Sequence, residues 1–263
     1  MKTTKAVARS VLPSFLFERL KAARWRRGMS RYLEKEGLLD AAARYVERNG
    51  YTVRYGPFAG MVYPRRAALN YHSIPGLLGV YEQELHPVIE AIARRKYDLV
   101  INIGCAEGYY AVGLARLLRT KVLAYDPEPV ERDICREAAE LNDVSGLVEL
   151  KDLFRPSEIQ KFRGMRVFCI SDCEGFEEQI FTRHTISQTA GWDLLIELHG
   201  AAADKLMSLA WPQKMTTIES VPRTGSYKEL EGLGATKKLL SENRATQKWL
   251  WCDSQARSIS NQG

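Results

Sequence analysis

The sequence predicts an α/β protein: a doubly wound, mostly parallel seven-stranded sheet with a helical N-terminal extension. Three observations carry this expectation. From Asp98 onward short apolar runs alternate with helical patterns, as strands alternate with crossover helices in a parallel sheet. Leu99-Val100-Ile101-Asn102-Ile103 is apolar at every position but one, the signature of a strand buried on both faces. That run ends in Gly104-Cys105-Ala106-Glu107-Gly108, and the next, Val122 to Tyr125, ends in Asp126-Pro127. A glycine turn from strand to helix, then an acid at the tip of the next strand, describes a nucleoside-binding crevice.

At 263 residues the chain can bury a full core. We divide it into an extension (residues 1–95), the α/β domain (96–253) and a flexible tail (254–263). In the extension, a basic amphipathic helix is followed by a second helix from about Gly37 to Glu47, stopped by Asn49-Gly50. Short strands joined by turns are expected over Tyr51 to Pro64, and a further helix over Tyr81 to Arg95. In the α/β domain, Pro129 suits the start of a helix running to about Asn142. Further strands follow at Leu147–Leu150, Val167–Ile170 and Leu194–His199, and a closing pair at Thr216–Glu219 and Lys248–Trp251. Ligands of such sheets bind outside the carboxyl ends of the strands.

Charge is unevenly spread. The net charge is +6, yet nine basic residues up to Arg31 stand against Glu18 alone, so this segment carries +8 and the rest −2. With Leu12, Phe15, Leu16, Leu20 and Trp25 at helical spacing, residues 1–31 suit either a helix packed on the domain or an anionic membrane surface. Five cysteines without C-x-x-C spacing read as small core residues in a reducing compartment. No run reaches membrane-spanning length and no signal-peptide core is present, so the expected location is the cytoplasm, peripheral to a membrane if the arm binds one.

The glycines are spaced G-x-x-x-G, not the G-x-G-x-x-G of dinucleotide sites, and Glu107 sets a negative charge where a pyrophosphate would lie. A cofactor with a cationic centre and an amino-acid tail fits better. The spacing resembles motif I of class I S-adenosylmethionine (SAM) methyltransferases, a Rossmann-like family that usually carries an acid where this chain has Asn102. That resemblance implies cofactor contacts from Asn102, Gly104, Cys105, Ala106, Glu107, Gly108 and Tyr109. Asp126, with Pro127, takes the ribose hydroxyls, and Asp152 with Leu153 the adenine amino group. Asp172 reaches the cofactor from the fourth strand.

A narrower resemblance follows. Asp172-Cys173-Glu174-Gly175-Phe176-Glu177 is similar to the D-x-E-G-x-E segment of FkbM-type methyltransferases, and Glu197-Leu198-His199 to the E-x-H strand end that follows it. Gly104 to Tyr110, Gly56 to Met61 and Tyr81 to Leu85 also resemble that family, so the likeness runs from about Gly56 to Arg244. It implies O-methylation of a small molecule, carbohydrate or secondary metabolite. The acceptor hydroxyl needs a base within hydrogen-bond reach or a metal that lowers its pKa. Asp172, Glu197 and His199 are the candidate catalytic groups, and Asp172, Glu174 and Glu197 the candidate ligands of Mg²⁺ or Mn²⁺.

Other readings stand beside these. Asp172 can cap the following helix, with Glu174, Glu177 and Glu178 in its first turn favoured by the macrodipole. Glu197 interrupts a buried strand and needs a partner, while His199 is either a base or a strand-end histidine. His72, His86 and His184 have no acids around them and read as surface or packing residues. An RNA methyltransferase using the basic arm, and a non-catalytic scaffold, are the competing classes. The first lacks an N/D-P-P-Y segment and a Pro-Cys nucleophile, so nucleic acid is not the expected partner.

Overall fold

The computed structural model describes residues 37–68, 73–200, 202–223, 225–233, 240 and 247–256. The basic segment up to Arg31, His72 and the tail from residue 257 lie outside the described residues.

Seven strands form one sheet: β1 (Leu99–Ile103), β2 (Val122–Tyr125), β3 (Val148–Lys151), β4 (Val167–Ser171), β5 (Trp192–Glu197), β6 (Lys214–Glu219) and β7 (Lys248–Asp253). Their order is β3-β2-β1-β4-β5-β7-β6. The first five run parallel, and β7 lies antiparallel between β5 and β6. This is the doubly wound, Rossmann-like sheet of the class I methyltransferase fold that the sequence predicts. Chain order reverses between β1 and β4, so the carboxyl ends of these two strands open the crevice in which such sheets bind ligands.

Alternation along the strands sends Val100, Val122, Phe168 and Leu195 to one face and Ile101, Leu123, Cys169 and Leu194 to the other. The first face is covered by α1 (Leu38–Asn49), α2 (Ser73–Leu78), α3 (His86–Ile92), α4 (Tyr109–Leu118) and α5 (Pro129–Leu141). Leu38, Tyr45, Met61, Leu77 and Ile89 thus share one continuous core with the sheet. The second face is covered by a 3₁₀ segment (Pro156–Phe162) and the short helices α6 (Glu177–Ile180), α7 (Arg183–Ile186) and α8 (Ala202–Met207). Among the described residues no helix is long and apolar enough to cross a membrane.

Four expectations need correction. The helix expected over Tyr81–Arg95 is a 3₁₀ turn (Gln83–Leu85) followed by α3. Glu82 takes φ +47°, and Pro87, with no N–H to donate, fits only the first turn of a helix. The strands expected over Tyr51–Pro64 reduce to a single bridge, Thr52 to Val62, because Arg54 and Tyr55 donate their N–H groups to Leu77 and Leu78. β5 stops at Glu197, which leaves His199 in the loop beyond it. Finally, Ser254 is not frayed: its N–H and hydroxyl both donate to Asp193, at 2.8 and 2.7 Å.

Candidate functional site

Where β1 ends, Gly104 turns the chain with φ +78°, and a Cβ there would lie 1.7 Å from the carbonyl oxygen of Asp172. No other residue lets the tips of β1 and β4 come this close. The N–H groups of Gly104 and Cys105 donate to Tyr125 O at the end of β2, which fixes the loop across the sheet. Gly108, at φ +101°, also packs closely: a Cβ there would meet Cys135 Sγ on α5 at 2.8 Å.

A cleft of about 330 Å³ opens over these strand ends. Gly104, Asp126, Pro127, Asp152, Leu153 and Asp172 line it, joined by Tyr125, Phe154, Cys173, Glu174, Phe176 and others. Of the remaining candidates, Asn102 and Cys105 are buried, and Tyr109 packs its ring against Phe58 and Tyr81. Ala106 acts through its backbone, its N–H donating to Asp126 Oδ2 at 3.0 Å, while Glu107 is half-buried outside the cleft lining.

Asp126 is 8% exposed. Its Oδ1 accepts the Glu128 N–H at 2.9 Å, so both oxygens are engaged by backbone donors and each keeps a further lone pair. Burial raises its pKa, against the pull of these two N–H groups. Exposed Asp152 is held below the usual carboxylate range by the Leu153 N–H. Leu153, 39% exposed, and the buried Phe154 give the cleft an apolar lining beside Asp152.

At the β4 end of the cleft, four carboxylates surround one imidazole. His199 Nε2 lies 3.5 Å from Glu197, 3.6 Å from Asp172 and 3.9 Å from Glu174, and Nδ1 lies 3.2 Å from Glu177. Burial opposes charge on His199, but Glu177, Asp172 and Glu174 outweigh it and hold its pKa above the ordinary value. Burial pushes Asp172 up to about 6, with Glu82 and Glu174 adding to the rise while a hydrogen bond with Glu197 and the charge of His199 oppose it. Glu197 is almost wholly buried, with its Oε2 3.5 Å from His199 Nε2. Asp172 does not cap a helix, since α6 begins five residues later at Glu177. The donor atoms of Asp172, Glu174 and His199 lie within 4.8 Å of one another, so His199 rather than Glu197 completes that set.

Sequence reasoning did not single out Tyr125, Phe154, Cys173 or Phe176, whose apolar character reads equally as core. It placed Glu177 in a helix turn. The signal that could have distinguished it is its spacing: five residues beyond Asp172, across a Gly175 turn that folds the chain back. Cys173 is half-exposed, not a core cysteine, whereas Cys105, Cys135, Cys169 and Cys252 are buried. His86 packs against Gly56, as a packing histidine should.

No protein-family model matches the chain, and no curated protein matches it significantly. Solved structures similar to it include a methyltransferase of Podospora anserina bound to S-adenosylhomocysteine (20% identity, 43% of this chain, TM-score 0.36). The chain spans only 51% of that protein's length. Others are the O-methyltransferase TomG of Streptomyces achromogenes with SAM (16% identity, 50% of this chain and 70% of that one, TM-score 0.41) and an O-methyltransferase of Bacillus cereus with S-adenosylhomocysteine (12% identity, 62% and 78%, TM-score 0.45).

Proposed function

We propose that the protein is a SAM-dependent O-methyltransferase of the FkbM type, acting on a hydroxyl of a small molecule, carbohydrate or secondary metabolite. The observation that supports this most is a juxtaposition. A nucleoside-sized cleft beneath Asp126 runs directly into a cluster of carboxylates around one imidazole. Asp126 keeps the lone pairs that two ribose hydroxyls need, and Leu153 and Phe154 offer apolar contact to an adenine beside Asp152. When bound, SAM supplies a methyl group on a sulfonium, a cation that Asp172 and Glu174 suit electrostatically.

The chain's own residues bind and orient the acceptor and take its proton. A hydroxyl is a poor nucleophile until that proton is withdrawn, and His199, Asp172 and Glu197 stand together where a base is required. The same negative field disfavours phosphate-rich acceptors, which weighs against RNA. In a metal-assisted version Asp172, Glu174 and His199 would hold Mg²⁺ or Mn²⁺, a donor set too rich in oxygen for zinc. Chelation that abolishes turnover, restored by Mg²⁺, separates this version from a simple base. We assign residues 1–31 to an anionic membrane surface, tested by vesicle sedimentation at low and high salt.

Calorimetric titration with SAM tests the core of the proposal. Asp126→Ala is expected to weaken binding by about 1.5–3 kcal/mol, the value of hydrogen bonds to a charged group. Because Asp126 also holds Ala106 and Glu128, Asp126→Asn serves as the control that keeps an acceptor oxygen. Unchanged affinity in both variants places the nucleoside elsewhere.

A further inference from the structure

We infer that Glu82 holds the ammonium of the cofactor's amino-acid tail, in place of the acid that this chain lacks at position 102. This rests on the methyltransferase reading above. Where the methyltransferases that the sequence resembles usually carry an acid, β1 carries Asn102. Its side chain follows that of Val100 in pointing to the face covered by α1–α5, and it is buried. Among the described residues Asn102 Oδ1 accepts no hydrogen bond, so the position offers an acceptor without a charge. An ammonium taken out of water needs a carboxylate as well as acceptors.

Glu82 brings that carboxylate to the same face. It is 1% exposed, and its Oε2 accepts the hydroxyl of Tyr110, in the first turn of α4. The rings of Phe58, Tyr81 and Tyr109 pack around the Tyr110 ring and fix it. The backbone of Glu82 takes φ +47°, a left-handed conformation that costs a glutamate energy and that is worth holding only where the side chain has a use. Asp172 abuts Gly104 and Glu82 binds Tyr110, so the two acids stand at opposite ends of the Gly104–Tyr110 turn. They are close enough to interact. Burial raises the pKa of Asp172 and a hydrogen bond with Glu197 lowers it; next in weight is the charge of Glu82, ahead of His199 at 3.6 Å and of Glu174. A cation at the turn relieves that repulsion. Glu82 stands outside the Asp172–Glu174–His199 donor set, so a metal held there would not claim it.

The test separates the amine from the rest of the cofactor. Calorimetry on the full chain with S-adenosylhomocysteine and with its deamino analogue, which lacks only the amino group, gives a ratio of two affinities. Both ligands share the nucleoside, so a general loosening of the site cancels in that ratio. The parent is expected to bind S-adenosylhomocysteine about 10–100-fold tighter, the range of hydrogen bonds to a charged group. Glu82→Gln, which can still accept from Tyr110, should bring the ratio close to one. A parent that binds both ligands alike overturns the inference, and so does a Glu82→Gln ratio equal to the parent's. A ratio that collapses in Asp172→Asn but survives Glu82→Gln gives the ammonium to Asp172 instead. Should Glu82→Gln not fold, Tyr110→Phe, which removes the hydroxyl that fixes Glu82, must lower the ratio, and an unchanged ratio there overturns the inference too. The two readings fail differently. A parent that binds neither ligand removes the methyltransferase proposal and this inference with it, whereas binding with an unmoved ratio removes only the role of Glu82.

Discussion

Strand β5 carries a buried acid at each end, and the two ends are built on opposite terms. At the amino end, Asp193 accepts from Arg95 Nη1 at 2.7 Å, the Tyr97 hydroxyl at 2.5 Å, and the Ser254 N–H and hydroxyl. Arg95 in turn forks onto both oxygens of Asp253, at 2.9 and 3.0 Å. Here donors and acceptors are matched around a buried charge, the condition under which such a network holds a structure together. At the carboxyl end, Glu197 shares its surroundings with Asp172, Glu174 and Glu177 around a single imidazole. Among the described residues negative charge outruns positive there, and Asp172 and Glu174 bring it to the cleft wall. A closed network belongs to the fold, and an unbalanced one at a strand tip implies a ligand that completes it.

The largest effect is expected at His199. His199→Ala is expected to lower turnover by about 10²–10⁴-fold, the range of general-base catalysis, while SAM affinity is retained. The readout is S-adenosylhomocysteine release with hydroxyl acceptors found by screening. Full turnover in the variant would make both ends of β5 structural. Asp193→Ala should act on stability instead. Removing one partner of a buried pair costs about 3–5 kcal/mol, and the lower figure is expected because Asp253 still holds Arg95. SAM affinity of the folded protein should not change. A midpoint equal to the parent's would mean that the matched network contributes no stability.

These two ends were not equally legible in the sequence. The strands, their order of appearance and the acids at their tips could be read because apolar runs, turn residues and terminal acids are local signals. Gly104 was legible for the same reason, since a strand that ends in glycine announces a turn. Glu177 was not, because its role depends on a loop that folds back over five residues and on a histidine 22 positions away. The Arg95–Asp193–Asp253 network was invisible for a like reason: its members come from the turn after α3 and from two strands, β5 and β7, and Asp193 reads as an ordinary polar start to a strand. Gly108 was legible only as a glycine beside a helix N-terminus, a signal that ligand approach and tight packing share; its packing against Cys135 is a long-range contact. The extension was half legible. Its helix α1 was expected almost to the residue, but the packing of Met61 and Leu77 onto the sheet depends on contacts no local pattern encodes.

The smallest expected effect is on the pH dependence of stability. Burial pushes Asp172 up to about 6, so between its ordinary value and that point the folded protein keeps a proton the unfolded chain has released. More protons bound in the folded state means that stability falls as pH rises through this window. Above it, the ionised Asp172 is a standing cost, which Asp172→Asn removes. His199 modulates the size of that cost: while protonated it compensates Asp172, and its raised pKa extends that compensation upward. The variant's advantage is therefore largest where His199 is neutral and shrinks as pH falls, disappearing once Asp172 is protonated in both states. About a third of the Asp172 side chain meets solvent, which screens the effect to about 1 kcal/mol. Urea midpoints of parent and variant across this range measure it. If Asp172→Asn proves less stable than the parent at alkaline pH, the carboxyl end of β5 is a matched network like the amino end, and the charge imbalance assigned to it is wrong.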